Sequence, residues 1–141
     1  MKFNFKKWLI ILTPLILGTI VGLITVPNSN VESIIPSWIF PVVWTILYVL
    51  MGVSSYIIYK ETGKLSKIYI IQLIFNLLWS FAFFTFKLYT FSYIWILLLI
   101  VLVILMILEF KKINKLASYL QIPYLIWLII ASILNLIIII K

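Results

Sequence analysis

The chain has 141 residues, 66% hydrophobic and 10% charged. Soluble globular proteins hold roughly 45–50% apolar and about 25% charged residues, so the balance excludes a soluble fold. The charges are 11 Lys and three Glu (Glu32, Glu61, Glu109), net +8, with no Arg, Asp, His or Cys, which excludes zinc and iron–sulfur sites of the usual ligand types, Ser-His-Asp and Cys-His nucleophiles, disulfides and thiol switches.

A bilayer core takes about 20 apolar residues per helix. Five such runs predict an all-α integral membrane protein, a single five-helix transmembrane bundle with helices at residues 8–26, 41–59, 67–86, 92–110 and 117–140. The first run follows Lys2, Lys6 and Lys7 as a secretion signal would. Its apolar stretch is long for one, however, and no small-x-small cleavage site follows before Pro27, so it reads as a span. Gly18 and Gly22 within it have the GxxxG spacing that lets backbones approach, inside one bundle or between protomers, and are the candidate dimer contacts. The connector at residues 27–40 is the longest, carries Glu32 but no Lys, and ends in Pro36, Trp38 and Phe40, aromatics that suit an interfacial belt.

On the second helix Trp44, Tyr48, Met51 and Ser55 recur at offsets of 0, 4, 7 and 11. On the third, Gln72, Asn76, Trp79, Ser80 and Phe83 fall within an arc of about 100° at 100° per residue. The fourth has no comparable polar stripe, though it holds Trp95. Its Glu109 stands beside Lys111 and Lys112, where a solvated ion pair is expected rather than the intramembrane carboxylate of a proton-coupled transporter. The fifth presents Tyr124, Trp127, Ala131 and Asn135 on one face. The three stripes read either as interhelical hydrogen-bonding glue or as the lining of a pocket for a flat, largely apolar ligand with a few polar handles.

Nine Lys (Lys2, Lys6, Lys7, Lys60, Lys64, Lys67, Lys111, Lys112, Lys115) fall on one side of such a bundle, and Lys87 and Lys141 on the other. The positive-inside rule predicts a multi-pass cell-membrane protein with its amino terminus cytoplasmic and its carboxyl terminus outside. Lysines clustered between apolar spans are a membrane pattern, so no nucleic-acid partner is expected.

Pro36-Ser37-Trp38-Ile39-Phe40, with Trp44-Thr45-Ile46-Leu47-Tyr48 and Met51-Gly52, resembles the second-helix signature of the tryptophan-rich sensory protein family, also called translocator protein or peripheral benzodiazepine receptor. Gln72-x3-Asn76-x2-Trp79-Ser80-x2-Phe83-Phe84 is similar to that family's third helix. Pro123-Tyr124-Leu125-x-Trp127-x3-Ala131-x2-Leu134-Asn135 is similar to its last. The resemblance implies a five-helix bundle, usually a homodimer, that binds porphyrins, haem and related tetrapyrroles, and in some members sterols or benzodiazepine-like drugs. It implies a receptor or sensor, or else a passive carrier of small hydrophobic ligands.

Carried over by position, Trp44 and Trp127 match tryptophans linked with light-dependent porphyrin breakdown, the one enzymatic activity the resemblance offers. Asn76, Trp79 and Phe83 match pocket residues, with Tyr48 on the same stripe as Trp44. Ala131 matches a small residue against the ligand, and Trp38 an aromatic at the pocket mouth. No cofactor is required; porphyrin or haem enters as ligand, and Met51 or a Tyr would be an unusual axial partner for haem iron. The first connector lacks the family's Trp-Tyr pair and Lys-Pro segment, Pro41-Val42 stands where Gly-Pro is frequent, and Ile130 and Ile133 replace aromatics. These departures bear on ligand specificity rather than on fold. Val53-x2-Tyr56-x3-Lys60 is a loose match to a cholesterol motif, a pattern of low specificity.

Overall fold

The computed structural model describes residues 5–25 and 39–140, and its elements are helical throughout. They are α1 (Phe5–Thr25), α2 (Ile39–Thr62), α3 (Lys67–Ser80) continued by a π-helical turn (Phe81–Thr85), α4 (Tyr89–Ile113), α5 (Lys115–Leu120) and α6 (Ile122–Ile140). Among the described residues five stretches are long and apolar enough to cross a bilayer, with α5 and α6 together forming the last. Only helices satisfy their own backbone in hydrocarbon, which is why such runs fold this way. Trp38, Pro36, Glu32 and the rest of residues 26–38 lie outside the described part, as do Lys2 and Lys141.

The helix ends show where local chemistry overrides hydropathy. α2 runs on to Thr62 and stops at Gly63, whose φ of 79° places its N–H 2.7 Å from the Tyr59 carbonyl. Ser66 caps α3 by accepting from the Tyr69 N–H, and its hydroxyl donates to Glu109 Oε2 at 2.7 Å. Glu109 is thus tied to the head of α3, where an ion pair with its neighbouring lysines was expected. α4 extends beyond residues 92–110 at both ends, and Asn114 caps α5 by accepting from the Ala117 N–H at 3.2 Å.

Two helices expected to be continuous are interrupted. The span at 67–86 passes at Ser80 into a π turn, closed by Phe86 N–H donating to the Phe81 carbonyl at 2.9 Å. The span at 117–140 begins at Lys115 and breaks at Gln121, because Pro123 has no N–H to continue the ladder.

α1 packs chiefly on α2, and α4 on α3, α5 and α6. The α1–α2 crossing is close because Gly52 has no side chain: a Cβ there would come within 1.9 Å of the Ile11 carbonyl oxygen. Gly18 does the same for the Tyr48 ring, 2.1 Å from where its Cβ would be, while the Cβ side of Gly22 is open. Of the two kinds of close packing expected of this glycine pair, Gly18 makes the one within the bundle, its near side filled by Tyr48 of α2. α4 buries Ser92, Ile96, Leu99, Val103, Met106 and Phe110 as one stripe against the core. Exposed Ile and Leu cover the outer faces, as a lipid-facing surface requires.

Candidate functional site

The polar stripes of α2, α3 and α6 converge between the helices. Tyr48 donates to Asn76 Oδ1 at 2.7 Å, Asn76 Nδ2 donates to the Tyr124 hydroxyl at 2.9 Å, and that hydroxyl donates to Gln72 Oε1 at 2.8 Å. Gln72 Nε2 then reaches the Met51 sulfur at 3.6 Å. All five side chains are buried. An amide in hydrocarbon is costly unless partnered, and here each amide is held by a neighbouring helix.

Aromatic rings enclose this chain. Trp44 stacks on Tyr48 at 5.4 Å between centroids and meets Tyr124 and Trp127 edge to face at 6.4 and 6.2 Å. Tyr48 and Trp127 are buried, while Trp44 is only half-buried and is the more accessible ring. Ala131, one turn beyond Trp127, is buried on the same face of α6.

Further from the lysine-rich end, Trp79 Nε1 donates to Asn135 Oδ1 at 3.4 Å, Ser92 Oγ donates to the same oxygen at 3.0 Å, and Asn135 Nδ2 donates to the Tyr89 carbonyl at 2.9 Å. Trp79 stacks on Phe83 at 4.9 Å with 17° between planes, and Phe83 meets Tyr89 edge to face at 5.3 Å. The π turn helps here: Phe84, adjacent in sequence, also reaches the Trp79 ring edge to face at 5.8 Å.

Seven sequence-derived candidates, Trp44, Tyr48, Asn76, Trp79, Phe83, Trp127 and Ala131, thus sit on the converging faces of α2, α3 and α6; Trp38 lies outside the described residues. Sequence reasoning missed Ser92, which carries α4 into the network, although its place on the spacing 92, 96, 99, 103, 106 and 110 marks it as inward-facing. It also left Trp95 without a role. That indole donates to the Phe75 carbonyl at 2.9 Å and stacks on the Phe75 ring at 4.2 Å, locking α4 to α3.

The site is neutral. Among the described residues no cluster of His, Cys, Asp or Glu could hold a metal. Its means are flat apolar rings and amides already committed to interhelical bonds, which suit stacking and shape rather than acid–base chemistry.

A five-span helical bundle closed round a neutral interior of indole, phenol and amide groups defines a multi-pass integral membrane protein. The chain belongs to the TspO/MBR family, which it matches across residues 10–140. It is similar to a tryptophan-rich protein TspO of Chlorobaculum tepidum, with 36% identity over 106 residues covering 71% of this chain and 67% of that protein. It is similar also to a translocator protein of Ovis aries (33% over 107 residues, 71% of this chain and 63% of that one) and a tryptophan-rich sensory protein of Cereibacter sphaeroides (32% over 102 residues, 71% and 65%). The matched stretch is about two thirds of the length of each relative.

Proposed function

We propose that this protein is a membrane receptor or sensor that takes a porphyrin or haem-like tetrapyrrole between α2, α3 and α6. The observation that carries the reading is the meeting of Trp44 and Trp127 from different helices at 6.2 Å, with Trp44 half-buried. A ring that is partly open and meets Trp127 only edge to face is one a planar ligand can part and stack on, for on the order of 0.5–1.5 kcal/mol per ring beyond area burial. Trp79 and Phe83 supply a stacked pair further from the lysine-rich end. The ligand's carboxylates stay near water, since no cation is buried among the described residues. With no His or Cys in the chain, metal-free porphyrin binds about as well as haem, because stacking rather than axial ligation carries affinity.

The names of the relatives in Cereibacter sphaeroides and Ovis aries support a sensory or translocating role. Passive carriage of the same ligands is the second reading, favoured by the translocator name and by the absence of a buried carboxylate among the described residues. A light-driven step needs no general acid, base or metal: the excited porphyrin takes one electron from the indole of Trp44 or Trp127, dioxygen takes that electron from the porphyrin radical anion to become superoxide, and the indole radical cation releases its N–H proton, so that superoxide and the tryptophanyl radical carry the oxidising equivalents that attack the macrocycle. Titrating the purified protein with protoporphyrin while following Trp fluorescence tests binding, and micromolar quenching is expected. Its absence for both porphyrin and haem overturns the proposal, and porphyrin flux in sealed vesicles separates carrier from receptor.

A further inference from the structure

The Tyr48–Asn76–Tyr124–Gln72 chain ends at Met51, one helical turn short of a second set of buried polar groups. α3 and α6 run away from the lysine-rich end and α2 runs towards it, so the direction of that turn is the same on each helix. Tyr69 is three residues before Gln72, Gln121 three before Tyr124, and Ser55 four after Met51. Because Gln72 is bonded to both Tyr124 and Met51, helical spacing carries these three buried residues about one turn from that junction, each towards the lysine-rich end. The Tyr69 hydroxyl lies beside Ser55 without reaching good hydrogen-bonding geometry.

Gln121 is 0% exposed and Tyr69 is 4% exposed. Among the described residues neither amide atom of Gln121 has a hydrogen-bond partner, and the Tyr69 hydroxyl has none of good geometry. Each such group costs free energy in a low-dielectric interior unless a partner is found, and native proteins satisfy them with few exceptions. The break between α5 and α6 is what aims Gln121 inward. Pro123 stops the α5 ladder, the Gln121 N–H turns to the Ser118 carbonyl at 3.1 Å, and its carbonyl accepts from Leu125, so the side chain enters the bundle at the head of α6. Ser54, donating to the Ala117 carbonyl at 2.7 Å, clamps α2 to α5 beside it.

We infer that Ser55, Tyr69 and Gln121 form a binding site for internal water, separate from the aromatic site and one turn nearer the lysine-rich face. The chemistry selects the occupant. A free amide oxygen, a free amide N–H₂ and a phenol together call for a small neutral molecule that both donates and accepts, and no charged side chain is buried there to hold an ion.

Two measurements on the full chain in lipid nanodiscs test this. Water-selective NMR of the unaltered protein should show a cross-peak between water and the Gln121 Nε2 protons, weakened by Tyr69→Phe. Gln121→Met and Tyr69→Phe should each lower the unfolding midpoint, and the double variant should fall no further than the worse single one, because both lose the same water. Midpoints that are unchanged, raised or lowered additively overturn the site, as does the lack of a water cross-peak, which is read without any variant.

Discussion

Tyr48 of α2 and Asn76 of α3 are joined by a 2.7 Å hydrogen bond, and the same tyrosine ring lies against Gly18 of α1. One side chain thereby holds three helices together. Tyr48→Phe keeps the ring and removes the donor, leaving Asn76 Oδ1 short of a partner, and should cost about 1 kcal/mol. Asn76→Ala strands the Tyr48 hydroxyl and takes one of its two bonds from Tyr124, and should cost more. Thermal unfolding of the two variants in detergent checks the order; equal losses would overturn the ranking by number of bonds lost.

The glycines make a graded series. Gly52→Ala drives a Cβ into the Ile11 carbonyl, a backbone atom that cannot swing aside, whereas Gly18→Ala meets the edge of a ring that can turn. Gly52→Ala should therefore destabilise by roughly 1–3 kcal/mol, Gly18→Ala by less, and Gly22→Ala hardly at all. Oligomeric state in detergent should be unchanged by Gly18→Ala. A stable Gly52→Ala protein would place the α1–α2 crossing elsewhere.

Lys87 is a non-glycine residue in the left-handed region, with φ of 55°, where the chain leaves the π turn and the Leu88 N–H reaches back to the Ala82 carbonyl at 2.9 Å. A Cβ is disfavoured there. Lys87→Gly should raise stability by roughly 1 kcal/mol, read as a higher unfolding midpoint. A lowered midpoint would show that the lysine side chain stabilises this end by more than its backbone costs.

Trp44→Phe and Trp127→Phe leave a flat apolar ring in place and should keep most of the porphyrin affinity. Both should slow or abolish any change in the bound porphyrin spectrum under light and air, because phenylalanine is far harder to oxidise. Unaltered spectra for the wild type under illumination would leave a tetrapyrrole binder without photochemistry.

The lysine count, nine against two, sets the expected orientation. A reporter that functions only outside the cytoplasm should be active when fused after Lys141. Activity of a cytoplasm-only reporter at that position would reverse the topology.

Five apolar runs, the alternation of lysine-rich and lysine-poor connectors, and the arcs holding Trp44 and Tyr48, Asn76 and Trp79, and Trp127 and Asn135 were all legible in the amino-acid order, because helical periodicity and the cost of polar groups in hydrocarbon act one helix at a time. Pro123 and the Phe81–Thr85 stretch modify those helices through backbone hydrogen bonding, which hydropathy does not register. Pairing was decided only in three dimensions. The packing of Gly18 against its own chain, the close approach at Gly52, the recruitment of Ser92 to Asn135 and the burial of the Gln121 amide without a partner among the described residues each depend on which helix lies opposite. A periodic stripe states that a face turns inward; it carries no information about what that face meets, since the meeting is set by the joint packing of all the spans.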